Sequence, residues 1–247
     1  MVGERIVVCN PVLSLQEEVS GTVRLTVPVS LGETFFDALL LDFARQYPNV
    51  RVELDLANVF RDLVADGFDL AIRVREPPLE VTDLVMRKLD ESVHRLVASP
   101  DLIARFAPPS GPDDLGGWPS LDFGPAHRDH VWALHHKDGM TASVRHAPRL
   151  VTDDLHMLHE GAVRGLGVAL LPTVAVVRDL DAGRLVDILP DWRPKRWIVH
   201  AVFPSRRGLL PSVRLLLDFL VQGCAEQQIH GETPTPFVAA ELAETKD

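Results

Sequence analysis

Ten histidines, two cysteines and 35 acidic residues are the raw material for a metal or acid–base site. Seven of the histidines lie between His127 and His159, among them the pair His135-His136 and, at helical i, i+3 spacing, His156 and His159. A zinc site needs several converging ligands, commonly with Cys or carboxylate at tight spacings, and no such spacing occurs. On a strand, His135 and His136 would face opposite ways. The reading is a cluster of surface histidines with no metal. Cys9 and Cys224 stand near opposite ends of the chain without metal-type spacing, which suits a reducing cytoplasm. There is no Gly-x-Ser-x-Gly elbow, no glycine-rich phosphate loop ending in Lys-Ser/Thr and no His-Glu-x-x-His. No catalytic residue and no cofactor are expected.

The polar residues that remain interesting stand where strands give way to helices. Residues 23–28 alternate apolar and polar, the period of a strand. Ser30 follows as a helix N-cap with Glu33 as its capping-box partner. Phe35, Leu39 and Phe43, flanked by Phe36, Leu40 and Tyr47, then form a broad apolar helix face that Pro48-Asn49 ends. A strand over 50–56, a short helix over 60–65 and a strand over 68–74 complete a strand–helix alternation, the grammar of a mainly parallel sheet. Two more strand-like runs cover 84–89 and 93–98.

The second half changes texture. Residues 107–125 carry five prolines and four glycines and read as an ordered loop, since Trp118, Leu121 and Phe123 need burial. Strands are expected over 131–135 and 142–146 with a turn at Lys137-Asp138-Gly139. A helix is expected from Asp153 to Gly165, then strands over 168–171, 185–189 and 197–203, and a last amphipathic helix over 211–222. From Gly231 the chain is polar and acidic, a mobile tail.

Bulk properties narrow the classes. With 46% apolar and 24% charged residues the chain is an ordinary globular one. Its formal charge of −10 argues against a free-standing nucleic-acid binder. No run approaches the ~18 apolar residues of a membrane span. The amino terminus lacks the basic start, apolar centre and cleavage site of a signal peptide, so a cytoplasmic protein with no membrane partner is expected.

Several segments together resemble the effector-binding domain of LysR-type transcription regulators. They are Glu17-Glu18-Val19-Ser20-Gly21-Thr22-Val23-Arg24-Leu25, the run from Phe43 through Tyr47-Pro48-Asn49 to Val50, Asp69-Leu70-Ala71-Ile72-Arg73, and Ala98-Ser99-Pro100. Asp114-Leu115, Thr152-Asp153-Asp154, Gly165-Leu166-Gly167 with the strand to Pro172, and the run from Val202-Phe203-Pro204 to Arg207 follow in order. Each is weak alone; their order over most of the chain is what carries the resemblance.

The resemblance implies an α/β fold of two Rossmann-like subdomains joined by two crossover strands, like the type 2 periplasmic binding proteins. Subdomain I would be 21–98 plus 200–230 and subdomain II 99–199, with crossovers near Ala98-Ser99 and His200 to Val202. Residues 1–20 would be a linker remnant and 231–247 the acidic tail. Such regulators carry a winged helix-turn-helix, for which this sequence offers no candidate, so no DNA binding is expected from this chain alone. Homodimerisation or higher self-association is implied.

Ligands of open α/β sheets bind beyond the carboxyl ends of strands, near helix N-termini. The resemblance places Ser30, Leu31 and Gly32 at one such junction, Thr152 and Asp153 at another, Arg73 at a strand end, and Phe123 and Phe203 at two more. The expected partner is a small-molecule effector, a carboxylate or related anion. Two other functions fit the same architecture: a stand-alone solute-binding protein, which a signal peptide would favour, and an enzyme using the same cleft, which would need a catalytic constellation.

Overall fold

The computed structural model describes residues 19–32, 35–59, 61–79, 83–124, 129–204 and 209–227. Nearly all of the expected linker remnant, all of the expected acidic tail, and Glu33, the expected capping partner, lie outside them. The chain divides into two compact units, 1–72 with 82–87 and 201–223, and 73–81 with 88–200 and 224–247.

In the first unit β1 (Gly21–Val27) pairs in parallel with β2 (Val50–Leu56) along its whole length and with β3 (Leu70–Arg75) at Leu25 and Thr26. The sheet order is β2-β1-β3-β13-β4, where β4 is Val85–Ser92 and β13 is Trp197–Phe203. Strands β3, β4 and β13 each run across a unit boundary. Between β1 and β2 come α1 (Val29–Gly32) and α2 (Phe35–Gln46). Helix α2 buries Phe36, Leu39, Leu40 and Phe43. The ring of Phe43 meets that of Phe219, on the closing helix α6 (Pro211–Gln227), at 5.4 Å.

The helix expected over 60–65 is instead a turn over 63–67. Asp62 Oδ1 accepts from the N–H groups of Val64 (3.0 Å) and Ala65 (3.1 Å), and Gly67 at φ +68° reverses the chain before a second helical turn can form. Arg24 braces this turn, its Nη1 donating to the Gly67 carbonyl at 2.8 Å.

The second unit is mainly antiparallel. Strand β5 (His94–Ala98), read from sequence as part of subdomain I, pairs here with β10 (Ala169–Pro172) and β11 (Val186–Asp187). Strands β7 (Val131–His136) and β8 (Thr141–Arg145) form the expected hairpin, extended by β12 (Trp192–Arg193). A third small sheet pairs β6 (Ser120–Phe123) with β9 (Pro148–Thr152) in parallel. Helix α3 (Pro100–Ile103) begins at Ser99, whose hydroxyl accepts from Leu102 N–H, with Pro100 at the first helical position. Helices α4 (Leu155–Val163) and α5 (Thr173–Asp181) pack with Leu121, Leu158, Leu171 and Val176 in one core.

His94 is buried on β5 with its ring 4.5 Å from that of Trp197. Burial pushes its imidazole down to about 4, against a smaller opposing effect from the Ser92 backbone. The unfolded chain takes up the proton near 6.5 and the folded one near 4, so this group leaves stability whole above the upper value and erodes it as pH falls between the two. Roughly 2 kcal/mol should be lost between pH 8 and pH 5. Urea unfolding at both pH values checks this: His94→Phe should lose far less than the wild type over the same interval, and equal losses would contradict it.

Candidate functional site

In the first unit, Ser30, Leu31 and Gly32 fall together in α1, directly after β1. Ser30 is not the N-cap expected of it, because the helix starts one residue earlier at Val29. The Val29 N–H donates to Asn58 Oδ1 (3.2 Å), so a side chain from beyond β2 does the work assigned to Ser30. Ser30 is half-buried with its hydroxyl outside that cap. Leu31 is buried and its N–H donates to the Pro28 carbonyl at 2.9 Å. Phe203 ends β13 and is also buried in this unit.

In the second unit, the parallel register sets Phe123 beside Thr152 at the ends of β6 and β9. The Gly124 N–H donates to the Thr152 carbonyl (2.9 Å) and closes the pair. Helix α4 is capped by Asp154, whose Oδ1 accepts from His156 N–H (2.8 Å) and Met157 N–H (3.2 Å); Asp153 stands exposed before it. Asp154 N–H in turn donates to Thr152 Oγ1 at 3.1 Å. The first-turn donors of α4 are therefore taken by its own side chain, while the Thr152 hydroxyl, used here as an acceptor, keeps a proton to give.

Arg73 lies half-buried on β3. Burial, and after it the charge of Arg75, lowers its pKa from the usual guanidinium range. His200, buried nearby on β13, is likewise lowered, first by burial and also by the charges of Arg73 and Arg75. Asp69, just before β3, accepts from the Arg24 N–H at 2.8 Å. Arg73 and Arg75 on β3 thus bring positive charge beside a buried imidazole that stays neutral at neutral pH.

Three histidines of the expected surface cluster are turned inward, whereas His156 is exposed and His127 lies outside the described residues. His130 Nδ1 lies 2.6 Å from Asp122 Oδ2, His159 Nε2 lies 2.8 Å from Asp179 Oδ2, and His146 stacks on Trp132 with centroids 3.9 Å apart. Each is tied into the framework, because the β7–β8 hairpin and the α4–α5 pair turn them inward. No group of three or more His, Cys, Asp or Glu suited to a metal occurs among the described residues. The Cys224 thiol is pushed up to about 12, by burial first and by Asp90 second, and is inert as a nucleophile at neutral pH. Among the described residues no helix is long and apolar enough to cross a membrane.

Comparison with known proteins gives the family. The family model for the LysR substrate binding domain matches residues 16–225. The chain is 30% identical over 220 residues to the HTH-type transcriptional regulator PtxR of Pseudomonas aeruginosa, spanning 89% of this chain and 70% of that protein. It is 32% identical over 210 residues to the HTH-type transcriptional regulator DmlR of Escherichia coli, spanning 83% and 66%. The full-length structure of AphB, a virulence activator of Vibrio cholerae, matches with a TM-score of 0.72 at 25% identity, over 86% of this chain and 72% of that one. The chain belongs to the LysR substrate-binding domain family.

Proposed function

We propose that this chain is the effector-sensing and dimerising part of a LysR-type transcription regulator in the cytoplasm, a receptor and not an enzyme, and that its effector is a small organic anion. Membership of the family over residues 16–225 supports the sensing role. The observation that carries the anionic class is Arg73: a half-buried guanidinium facing the repulsion of Arg75 gains more from a carboxylate than an exposed one would. In this reading the Ser30 and Thr152 hydroxyls and the backbone of Gly32 bind the anion, with Leu31, Asp153, Phe123 and Phe203 completing its surroundings. Specific DNA contact is not assigned to the matched residues. A thermal-shift screen tests the class: carboxylates, amino acids and aromatic acids should raise the melting temperature, and hits confined to amines or sugars would reject it.

Self-association has a narrower basis than the sequence suggested. Helix α2 carries the broad apolar face read from its sequence, yet of its large apolar residues with described side chains only Leu41 is exposed, at 70%. Leu54 and Leu56 on the edge strand β2 add to it in the first unit, as does Met157 on α4 in the second. The family pattern pairs these two helices between subunits in a two-fold arrangement. Equilibrium sedimentation at micromolar concentration should find a dimer, with Leu41→Glu shifting it toward monomer; wild-type monomer alone would refute the proposal.

A further inference from the structure

We propose that the second unit carries a small-molecule site of its own, separate from the anion reading: a cavity that takes an uncharged planar ring compound bearing a hydrogen-bond acceptor. The cavity measures about 250 Å³ and lies between the end of α3 with the segment 108–110 and the turn 186–192. That volume suits one substituted ring and sits just below the usual range for drug-sized ligands.

Both walls are braced without any ligand. On one side the Arg193 guanidinium donates from Nη1 to the carbonyls of Leu189 and Trp192, both at 2.9 Å, and from Nη2 to Asp187 Oδ2 at 2.7 Å. On the other, the Asp114 carboxylate accepts from the Ser110 N–H and hydroxyl, both at 2.8 Å, and from the Gly111 N–H at 3.3 Å. Pro108, Pro109 and Pro190 line the space and have little backbone freedom left to lose. A pocket fixed in advance loses less on ordering when a ligand enters.

The lining selects the ligand. Trp192, Leu189 and the prolines offer flat apolar surface. The acids on the lining are Asp187, neutralised by Arg95 and Arg193, and Asp191, 2.9 Å from Lys137 Nζ. No Lys or Arg lines the cavity among the described residues, so an anion would meet carboxylates without a lining cation. A cation would find both carboxylates already paired. His136 supplies the donor. The Asp138 N–H points at its Nδ1 (3.2 Å), with Asp138 Oδ2 3.3 Å from the same nitrogen. The Asp138 carboxylate is 69% exposed and free to turn to water, so the fixed backbone N–H decides: Nδ1 accepts and the ring proton stays on Nε2.

Benzamide, benzoate and benzamidine share one shape and differ in charge, which makes them the probes. Ligand-observed NMR and calorimetric titration on the whole chain should show benzamide binding. His136→Ala should weaken it about fivefold, and Trp192→Ala about tenfold or more. Because Trp192 also packs against a core, Pro109→Glu serves as a second variant that charges the rim without touching that packing; it should weaken benzamide to a similar degree. Circular dichroism and melting of each variant establish that it is folded. Benzamide that fails to bind at roughly ten millimolar, or binds all folded variants alike, overturns the proposal. So does a benzoate or benzamidine affinity that equals that of benzamide and is lost with it in Pro109→Glu. Benzoate binding that survives Pro109→Glu belongs to the anion reading, and benzamide alone then decides this one.

Discussion

Asp187→Ala should cost the fold about 3–5 kcal/mol, the loss that follows when a buried counter-ion is taken from its partners. Asp187 is the shared acceptor of two guanidiniums in the second unit, Arg95 Nη1 at 2.9 Å and Arg193 Nη2 at 2.7 Å. The Arg95 and Asp187 side chains are each 9% exposed and that of Arg193 26%, so screening by solvent is weak. Arg95 also donates through Nε to Thr173 Oγ1 at the start of α5, and Arg193 holds the 187–192 turn. Removal of the carboxylate therefore leaves two like charges facing each other where β5, β11 and β12 meet. Urea unfolding followed by circular dichroism measures the loss. The double change Asp187→Leu with Arg95→Met should recover part of it, because an apolar pair replaces a charge left alone. A loss below about 1 kcal/mol in Asp187→Ala would mean that water reaches the pair as it does a surface salt bridge.

Gly167→Ala should destabilise the chain by about 3 kcal/mol, at the upper end of overpacking effects. A Cβ at this position would lie 2.9 Å from the backbone carbon and oxygen of Pro119 and the backbone carbon of Ser120. Backbone cannot swing aside as a side-chain tip can. The two segments are also laced together: Val168 N–H donates to the Pro119 carbonyl and Leu121 N–H to the Val168 carbonyl, both at 2.8 Å. For a chain of this size the change corresponds to a melting temperature lower by roughly 6–12 °C. Gly116→Ala is the control, since a Cβ there meets nothing within 4 Å. Equal melting of the two variants would show that the 119–121 segment yields.

These two effects mark what the sequence could and could not disclose. The Gly165-Leu166-Gly167 run was visible as a motif. Its physical content is a helix end at Gly165, with φ +70°, followed by a close backbone crossing at Gly167. The first is a local property and legible; the second depends on Pro119, some fifty residues away, and is not. In the same way β1, β13 and the β7–β8 hairpin follow from alternation and turn residues within a few positions. The two-residue strand β12 carries too little pattern to read, whereas β11 falls inside the strand expected over 185–189. Helix α5 escaped notice because Pro172 looked like an end and was also a beginning. The buried triad of Arg95, Asp187 and Arg193 joins charges 92 and 6 residues apart, and no spacing rule links them.

The candidate site divides along the same line. That Thr152 and Ser30 stand at strand–helix junctions was legible, because the turn chemistry is local. Which residue caps each helix was not: Asn58 takes the place given to Ser30, and Asp154 caps α4 after the junction residues Thr152 and Asp153. Both outcomes matter for function, since they leave the Ser30 and Thr152 hydroxyls outside the helix caps and so available to a ligand.

The proposed role of the Ser30 and Thr152 hydroxyls is to hold an anionic effector. Its most direct test is calorimetric titration of the best carboxylate from the thermal-shift screen into the wild type, Ser30→Ala and Thr152→Val. Each variant should first be shown to melt within a few degrees of the wild type, since neither hydroxyl caps its helix. A hydrogen bond to a charged group contributes ~1.5–3 kcal/mol, so each substitution should weaken the affinity by roughly 10- to 100-fold. Affinities unchanged in both variants would contradict the account and place the effector elsewhere.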